Sequence, residues 1–293
     1  MSDPIGGLWV AMATPLDAAG GVDHPAFVRH AQWLLAQGCD GLVPFGTTGE
    51  GTSFSASERL AAIEALLHAG IPVQRIALAS GFPAITDSIT LTRQALGLGL
   101  VHVLLLPPYF YRDATAEGIE DAFAAILDGV NDSRLRATLY HIPQVSGVAV
   151  PPSAVANLRA RYGAVLSGVK DSSGDFAQFR AFRAAAPDVA VVVGNEPDIA
   201  RALAEGGAGT ICGMANMVPN LVRAMFSGSP PEAAMREAVG LITGPFMPAL
   251  KAALAAMTAE PGWLRMRPPL RSGDAGRGKV VAAALHQLVA QAA

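Results

Sequence analysis

Lysine is nearly absent from this chain. Three residues, Lys170, Lys251 and Lys279, stand among 21 cationic side chains, so arginine supplies almost all of the positive charge. Cysteine is as scarce: Cys39 and Cys212 leave room for one bridge at most, which excludes a disulfide framework and any four-cysteine metal site. Charge of either sign is thin, 15% of residues, and the formal net charge of −3 gives no electrostatic footprint for nucleic acid or an anionic membrane. No charge-free apolar run reaches the roughly 20 residues that span a bilayer. Met1-Ser2-Asp3-Pro4 lacks the basic start and apolar core of a secretory signal. A soluble, cytoplasmic chain is expected.

Several motifs are missing as well. The histidines (His24, His30, His68, His102, His141, His286) are scattered without a ligand spacing such as His-Glu-x-x-His, so no metal site is expected. Ser167, Ser172 and Ser173 have no evident base nearby and no Gly-x-Ser-x-Gly occurs, which sets serine hydrolysis aside. No Gly-x-Gly-x-x-Gly follows the first strand, as an open, doubly wound sheet binding a dinucleotide would favour. Glu205-Gly206-Gly207-Ala208-Gly209 precedes a strand and reads as a helix end and tight turn rather than a phosphate loop.

What is present is apolar: 51% of 293 residues, enough for a large core. Short β-type runs recur at Leu8–Pro15, Gly41–Gly46, Arg75–Gly81, His102–Pro107, Ala137–Pro143, Val165–Lys170, Val189–Gly194 and Thr210–Gly213. Between them lie helical segments such as Pro25–Gln37, Ser57–His68, Ile85–Leu98 and Ala116–Leu127. Runs such as Val103-Leu104-Leu105-Leu106 suit parallel strands buried on both faces. Eight βα units in series predict a (β/α)8 TIM barrel. After about Val218 the alternation gives way to helical stretches at Asn220–Phe226, Pro231–Met257 and Lys279–Gln291. The expected division is a catalytic barrel over 1–225 and a C-terminal helical extension over 226–293.

In such barrels the reactive groups sit at the C-terminal ends of strands. Lys170 closes strand six after Val165-Leu166-Ser167-Gly168-Val169, and a lysine amine, unlike a guanidinium, attacks a carbonyl once desolvated and deprotonated. Tyr140 ends the neighbouring strand five, where its phenol could give and take the protons of imine formation. If Tyr140 points inward, Thr138 and Ile142 follow it, His141 points outward, and Gly168, Lys170 and Ser172 share the other strand's inner face. The bland alternatives are a buried lysine bonded to a carbonyl and a tyrosine that caps the barrel. Gly46-Thr47-Thr48-Gly49-Glu50 after strand two offers hydroxyl and amide donors for a carboxylate, or else a threonine cap for the next helix.

With Gly46-Thr47-Thr48-Gly49-Glu50, Tyr140-His141-Ile142-Pro143 and Gly168-Val169-Lys170-Asp171-Ser172 in this order, the chain resembles the dihydrodipicolinate synthase/N-acetylneuraminate lyase family along essentially its whole length. The resemblance implies a (β/α)8 barrel, commonly tetrameric, working as a class I pyruvate-dependent aldolase or lyase without metal or organic cofactor. It implies that Lys170 forms the Schiff base, Tyr140 is the acid/base, Thr47 and Thr48 hold the carboxylate, and Gly194 and Ile211 line the pocket. A homo-oligomer, tetramer or dimer, follows from the same likeness. The chain also departs from the pattern: Gln144-Val145-Ser146-Gly147-Val148 lacks the arginine that dihydrodipicolinate synthases carry there. Phe110, between Tyr109 and Tyr111, falls where their strand-four relay tyrosine stands, and Asn195-Glu196-Pro197 replaces the acidic pair of sialic acid lyases. The preferred expectation is therefore an aldolase for a 2-oxo acid, a 2-keto-3-deoxy sugar acid being the favoured class, with Ser172, Glu196 and Gln144 as hydroxyl ligands. The alternatives are dihydrodipicolinate synthesis from pyruvate and aspartate semialdehyde, and a non-catalytic barrel that binds an oxo acid.

Overall fold

The computed structural model describes residues 3–292. Eight strands alternate with helices: β1 (Gly7–Met12), α1 (His24–Ala36), β2 (Gly41–Pro44), α2 (Ala56–His68), β3 (Ala77–Ala79), α3 (Ile85–Gly97), β4 (His102–Leu105), α4 (Ala116–Val130), β5 (Arg136–His141), α5 (Pro143–Ser146), α6 (Pro152–Tyr162), β6 (Leu166–Asp171), α7 (Phe176–Ala185), β7 (Ala190–Val193), α8 (Ile199–Ala204) and β8 (Gly209–Cys212). Four helices follow: α9 (Pro219–Ala224), α10 (Glu232–Leu241), α11 (Phe246–Thr258) and α12 (Ala275–Ala292). The strands form one sheet in the order β2-β1-β8-β7-β6-β5-β4-β3. Sheet neighbours are thus chain neighbours, with β8 returning beside β1, whereas a doubly wound sheet reverses its order partway. The fold is a (β/α)8 barrel with C-terminal helices.

All eight expected strands are present, some shorter than the apolar runs suggested. β2 stops at Pro44 because Phe45 takes a left-handed backbone (φ 59°) and turns the chain. The long helical stretch expected over Pro231–Met257 is two helices. Gly244, at φ 79°, and Pro245 break it between α10 and α11, which bend by 98°. Among the described residues no single helix is long and apolar enough to cross a membrane. Cys39 and Cys212 are buried free thiols.

The chain divides into two compact units, each with its own core. One comprises Met1–Trp9 with Pro72–Ile211. Its strands pair in parallel, and their Val, Leu and Ala side chains are buried on both faces, as β4 shows at Val103, Leu104 and Leu105. Its helices start on polar caps: Thr115 accepts from Gly118 N at α4, and Asp175 from Ala177 N at α7. The other unit comprises Val10–Ile71 with Cys212–Ala293. There Ser55 and Glu58 form a reciprocal cap on α2, and α12 lies along α11. The approach is so close that a Cβ on Gly278 would stand 2.3 Å from the Ala252 carbonyl oxygen.

Candidate active site

In the strand-rich unit the central feature is the pairing of β5 with β6. The register begins Ala137↔Leu166, skips Ser167, and continues Thr138↔Gly168, Tyr140↔Lys170 and His141↔Asp171. Ser167 is therefore the extra residue of a bulge, and its hydroxyl donates to the Ala137 carbonyl at 3.1 Å. Downstream of the bulge, Tyr140 and Lys170 stand side by side on one face. Both are 3% exposed, and Lys170 Nζ lies 4.2 Å from the centroid of the Tyr140 ring, within cation–π reach.

The period of two holds as the sequence indicated. Gly168 lies against Thr138, where a Cβ would come within 2.9 Å of Thr138 Oγ1. On the opposite face, His141 packs edge-on against Phe182 of α7, with ring centroids 5.2 Å apart, and its Nδ1 accepts from Val150 N at 3.0 Å. Burial holds the His141 pKa below its usual value despite the nearby Asp171, and burial raises that of Asp171. This pair belongs to the helix side of the sheet.

Space at the lysine depends on Gly194, which follows β7 and donates its N–H to the Asp171 carbonyl at 2.7 Å. A Cβ there would stand 1.9 Å from Ser172 Oγ and 3.3 Å from Lys170 Cε. Glycine is required because the Ser172 hydroxyl and the lysine side chain already occupy that room. Gln144 donates through Nε2 to the Ser172 carbonyl at 2.6 Å, so its amide ties the turn after β5 to the end of β6. Glu196 is buried, 7% exposed, at the start of a short 3₁₀ turn after β7, and Ile211 is fully buried on β8. Beyond β4, Phe110 has φ 97° and is 79% exposed, edge-on to the equally open Tyr111 at 5.5 Å, while Tyr109 is half-buried. Lys170, Tyr140, Ser172, Gly194 and Gln144 are thus brought together.

Gly46, Thr47 and Thr48 lie in the other unit, in a tight turn after β2. Glu50 N donates to Thr47 O at 3.1 Å and Gly51 N to Gly46 O at 3.0 Å, while the Thr14 hydroxyl donates to Gly49 O at 2.9 Å. Neither glycine flanking Glu50 tolerates a side chain, since a Cβ on Gly49 would meet Met12 O at 2.6 Å and one on Gly51 would meet Phe45 O at 1.7 Å. Thr48 is 7% exposed, and its Oγ1 lies beside Gly213, which Phe246 of α11 also touches. Threonine capping of α2, the bland alternative, does not occur: Ser55 caps that helix.

One part of this turn went unread in the sequence. Glu50 is buried and bonded to Lys251 of α11, Nζ to Oε1 2.6 Å, with the two side chains 0% and 1% exposed. A signal existed, for Lys251 interrupts the apolar run Leu250 to Leu254 much as Lys170 ends another.

Comparison with known proteins identifies the family and the fold. The family model described as "Dihydrodipicolinate synthetase family" matches residues 4–255. An uncharacterized DapA-like lyase of Chloroflexus aurantiacus is 35% identical over 266 residues, 87% of each chain. The crystal structure of dihydrodipicolinate synthase from Agrobacterium tumefaciens superposes with a TM-score of 0.91 at 32% identity, covering 97% of this chain and 99% of that one. A 2-keto 3-deoxygluconate aldolase from Picrophilus torridus matches with a TM-score of 0.82 at 25% identity, covering 92% and 98%.

Proposed function

The chain belongs to the dihydrodipicolinate synthetase family, whose members are pyruvate-dependent carbon–carbon lyases, and from that premise we propose a Schiff-base aldolase for a 2-keto-3-deoxy sugar acid. The observation that carries the reading is Lys170: a buried amine at a strand end, 4.2 Å from the ring of a buried tyrosine, in space that Gly194 keeps clear.

The chemistry follows from the groups. The neutral amine of Lys170 attacks C2 of the 2-oxo acid, and the carbinolamine loses water to give a protonated imine. Tyr140 relays the proton to the departing hydroxyl. The electrons of the C3–C4 bond move toward the iminium to leave an enamine, the C4 hydroxyl passes its proton to Tyr140 Oη, and the aldehyde departs. Protonation at C3 and hydrolysis then release pyruvate and restore the amine. Thr47 and Thr48, in the turn opened by Gly46, hold the carboxylate through neutral donors. Ser172, Glu196 and the side-chain carbonyl of Gln144 take substrate hydroxyls, and Ile211 lines the pocket. No metal or organic cofactor enters the cycle. In this reading residues 1–225 are the catalytic barrel, 226–293 a helical extension, and the working form a homo-oligomer.

A second reading, dihydrodipicolinate synthesis, has one observation in its favour. The loop after β5 lacks the expected arginine, yet the Arg112 side chain lies along Gly147 of that loop, where a Cβ would be 2.8 Å from its Nε. That cation could meet the carboxylate of aspartate semialdehyde.

Borohydride reduction in the presence of pyruvate, followed by peptide mapping, tests the common chemistry: the adduct is expected on Lys170, and its absence overturns the imine. A panel of 2-keto-3-deoxy sugar acids, with pyruvate release as the signal, separates the two readings. Turnover confined to pyruvate plus aspartate semialdehyde would establish the second.

A further inference from the structure

The carboxylate-binding turn proposed above sits directly on a buried carboxylate of the protein itself. Glu50 follows Thr47-Thr48-Gly49 without a break, and it takes a left-handed backbone, φ 56° and ψ 31°, that non-glycine residues adopt only when their surroundings impose it. What imposes it is visible on both sides of the residue. Its N–H bonds to Thr47 O, and its carboxylate bonds to Lys251 at 2.6 Å in a site from which solvent is excluded. The second carboxylate oxygen, Oε2, is buried with no partner. A lone anion in such a site is costly, and its repulsion of a second anion a few residues away is weakly screened. Among the described residues Lys251 is the charge bonded to it, and Arg267 adds a more distant attraction.

The lysine is itself fixed. It lies on α11, whose first residue, Phe246, reaches Gly213 beside Thr48, and whose far side is held by α12 at Gly278. The same helix therefore meets the turn through the ion pair at Glu50, while its first residue and Thr48 Oγ1 both border Gly213. Burial pulls the Lys251 pKa down, while Glu50 opposes that pull and favours the charged amine.

We propose that Glu50 and Lys251 are positioning residues of the carboxylate turn: Lys251 neutralises Glu50 so that Thr47 and Thr48 can accept a substrate carboxylate, which makes α11 part of the binding apparatus. This inference rests on the assignment of Thr47 and Thr48 to the substrate carboxylate. It gives two single substitutions effects of opposite sign. Lys251→Met removes the charge bonded to Glu50 and leaves both of its buried oxygens without that partner, and should raise the pyruvate concentration for half-maximal borohydride trapping at least tenfold with the limiting trapping rate little changed. Glu50→Gln removes the anion while keeping an oxygen for Lys251, so half-saturation should fall. A pair that only braces the fold would lower the melting temperature in both variants and move half-saturation in neither, or raise it in both.

Each outcome decides. An adduct on Lys170 with unchanged half-saturation in Lys251→Met, or half-saturation that stays level or rises in Glu50→Gln, overturns the inference and leaves the Schiff base intact. Should Lys251→Met fail to fold, Glu50→Gln, nearly isosteric, decides by that same criterion. Calorimetric titration with pyruvate, run on the same proteins, covers the converse. Binding that weakens in Lys251→Met but leaves no reducible adduct in the unsubstituted chain overturns the imine and supports the inference. A chain that takes up no pyruvate by either method overturns both.

Discussion

Gly194 shows how narrowly the lysine is accommodated. Because a methyl group there would meet Ser172 at 1.9 Å for Oγ and 2.9 Å for Cβ, Gly194→Ala must displace Ser172 or the Lys170 side chain. Overpacking of this kind costs about 1–3 kcal/mol, and here it falls on the amine proposed to form the imine. The variant is expected to fold but to trap pyruvate at least tenfold more slowly, and Ser172→Ala in the same chain should restore part of the rate; no recovery would place the clash elsewhere. Tyr140→Phe keeps the ring beside Lys170 and removes only the hydroxyl. It should lower kcat by about 10²–10⁴-fold, the usual worth of a positioned proton carrier, while the melting temperature stays nearly level. Lys170 was legible in the sequence, since a lysine in so lysine-poor a chain, at the end of an apolar run, is conspicuous, and Tyr140 followed from its place at the end of the neighbouring strand, whereas Gly194 came only from the family resemblance. The role of Glu50 was not legible, because its partner lies 201 positions away and the one signal of the pair, Lys251 within its own apolar run, does not say what it meets.

At the scale of elements, the strands were legible because buried parallel strands are continuous runs of Val, Leu and Ala, and neither turns nor helices need such runs. Their ends were less so. The left-handed turn at Phe45, imposed by packing on a residue with no preference for it, ended β2 early. The bulge at Ser167 likewise leaves no composition signal, yet it sets which β6 residues share a face with Tyr140. Counting by twos downstream of the bulge gave the right faces; counting from Leu166 would have reversed them. The α10–α11 break was written plainly in Thr243-Gly244-Pro245 and was passed over in favour of the longer alanine-rich pattern. The contact of α12 with α11 makes a prediction of its own. Gly278→Ala puts a methyl 2.3 Å from a backbone oxygen that has no rotamer by which to retreat, so the helices must part. A stability loss of about 1–3 kcal/mol is expected in denaturant melts, and a change below 0.5 kcal/mol would show that the pair slides freely.

For the molecule as a whole, acid is the weak side. His30 is buried, donates from Nε2 to Asn216 Oδ1 at 3.0 Å, and packs against Trp263 with ring centroids 4.9 Å apart; burial lowers its pKa from 6.5 to about 4. His102 is lowered to about 4 as well, by burial and then by Arg136. The unfolded chain binds these protons near pH 6.5 and the folded chain only near pH 4. The stabilising contribution is therefore complete above pH 6.5 and is lost as pH falls toward 4, and for His30 it amounts to about 3 kcal/mol. Melting temperatures should fall steadily between pH 6.5 and 4.5, and less steeply in His30→Gln; equal slopes would remove His30 from the account. The scarcity of lysine has a practical side too. Lys170 and Lys251 are shut away from solvent, and Lys279, on α12, is the one lysine side chain exposed. Among the lysines, amine-coupling resins and acylating dyes would therefore reach Lys279 on the C-terminal helix of the folded chain and leave the amine of Lys170 untouched.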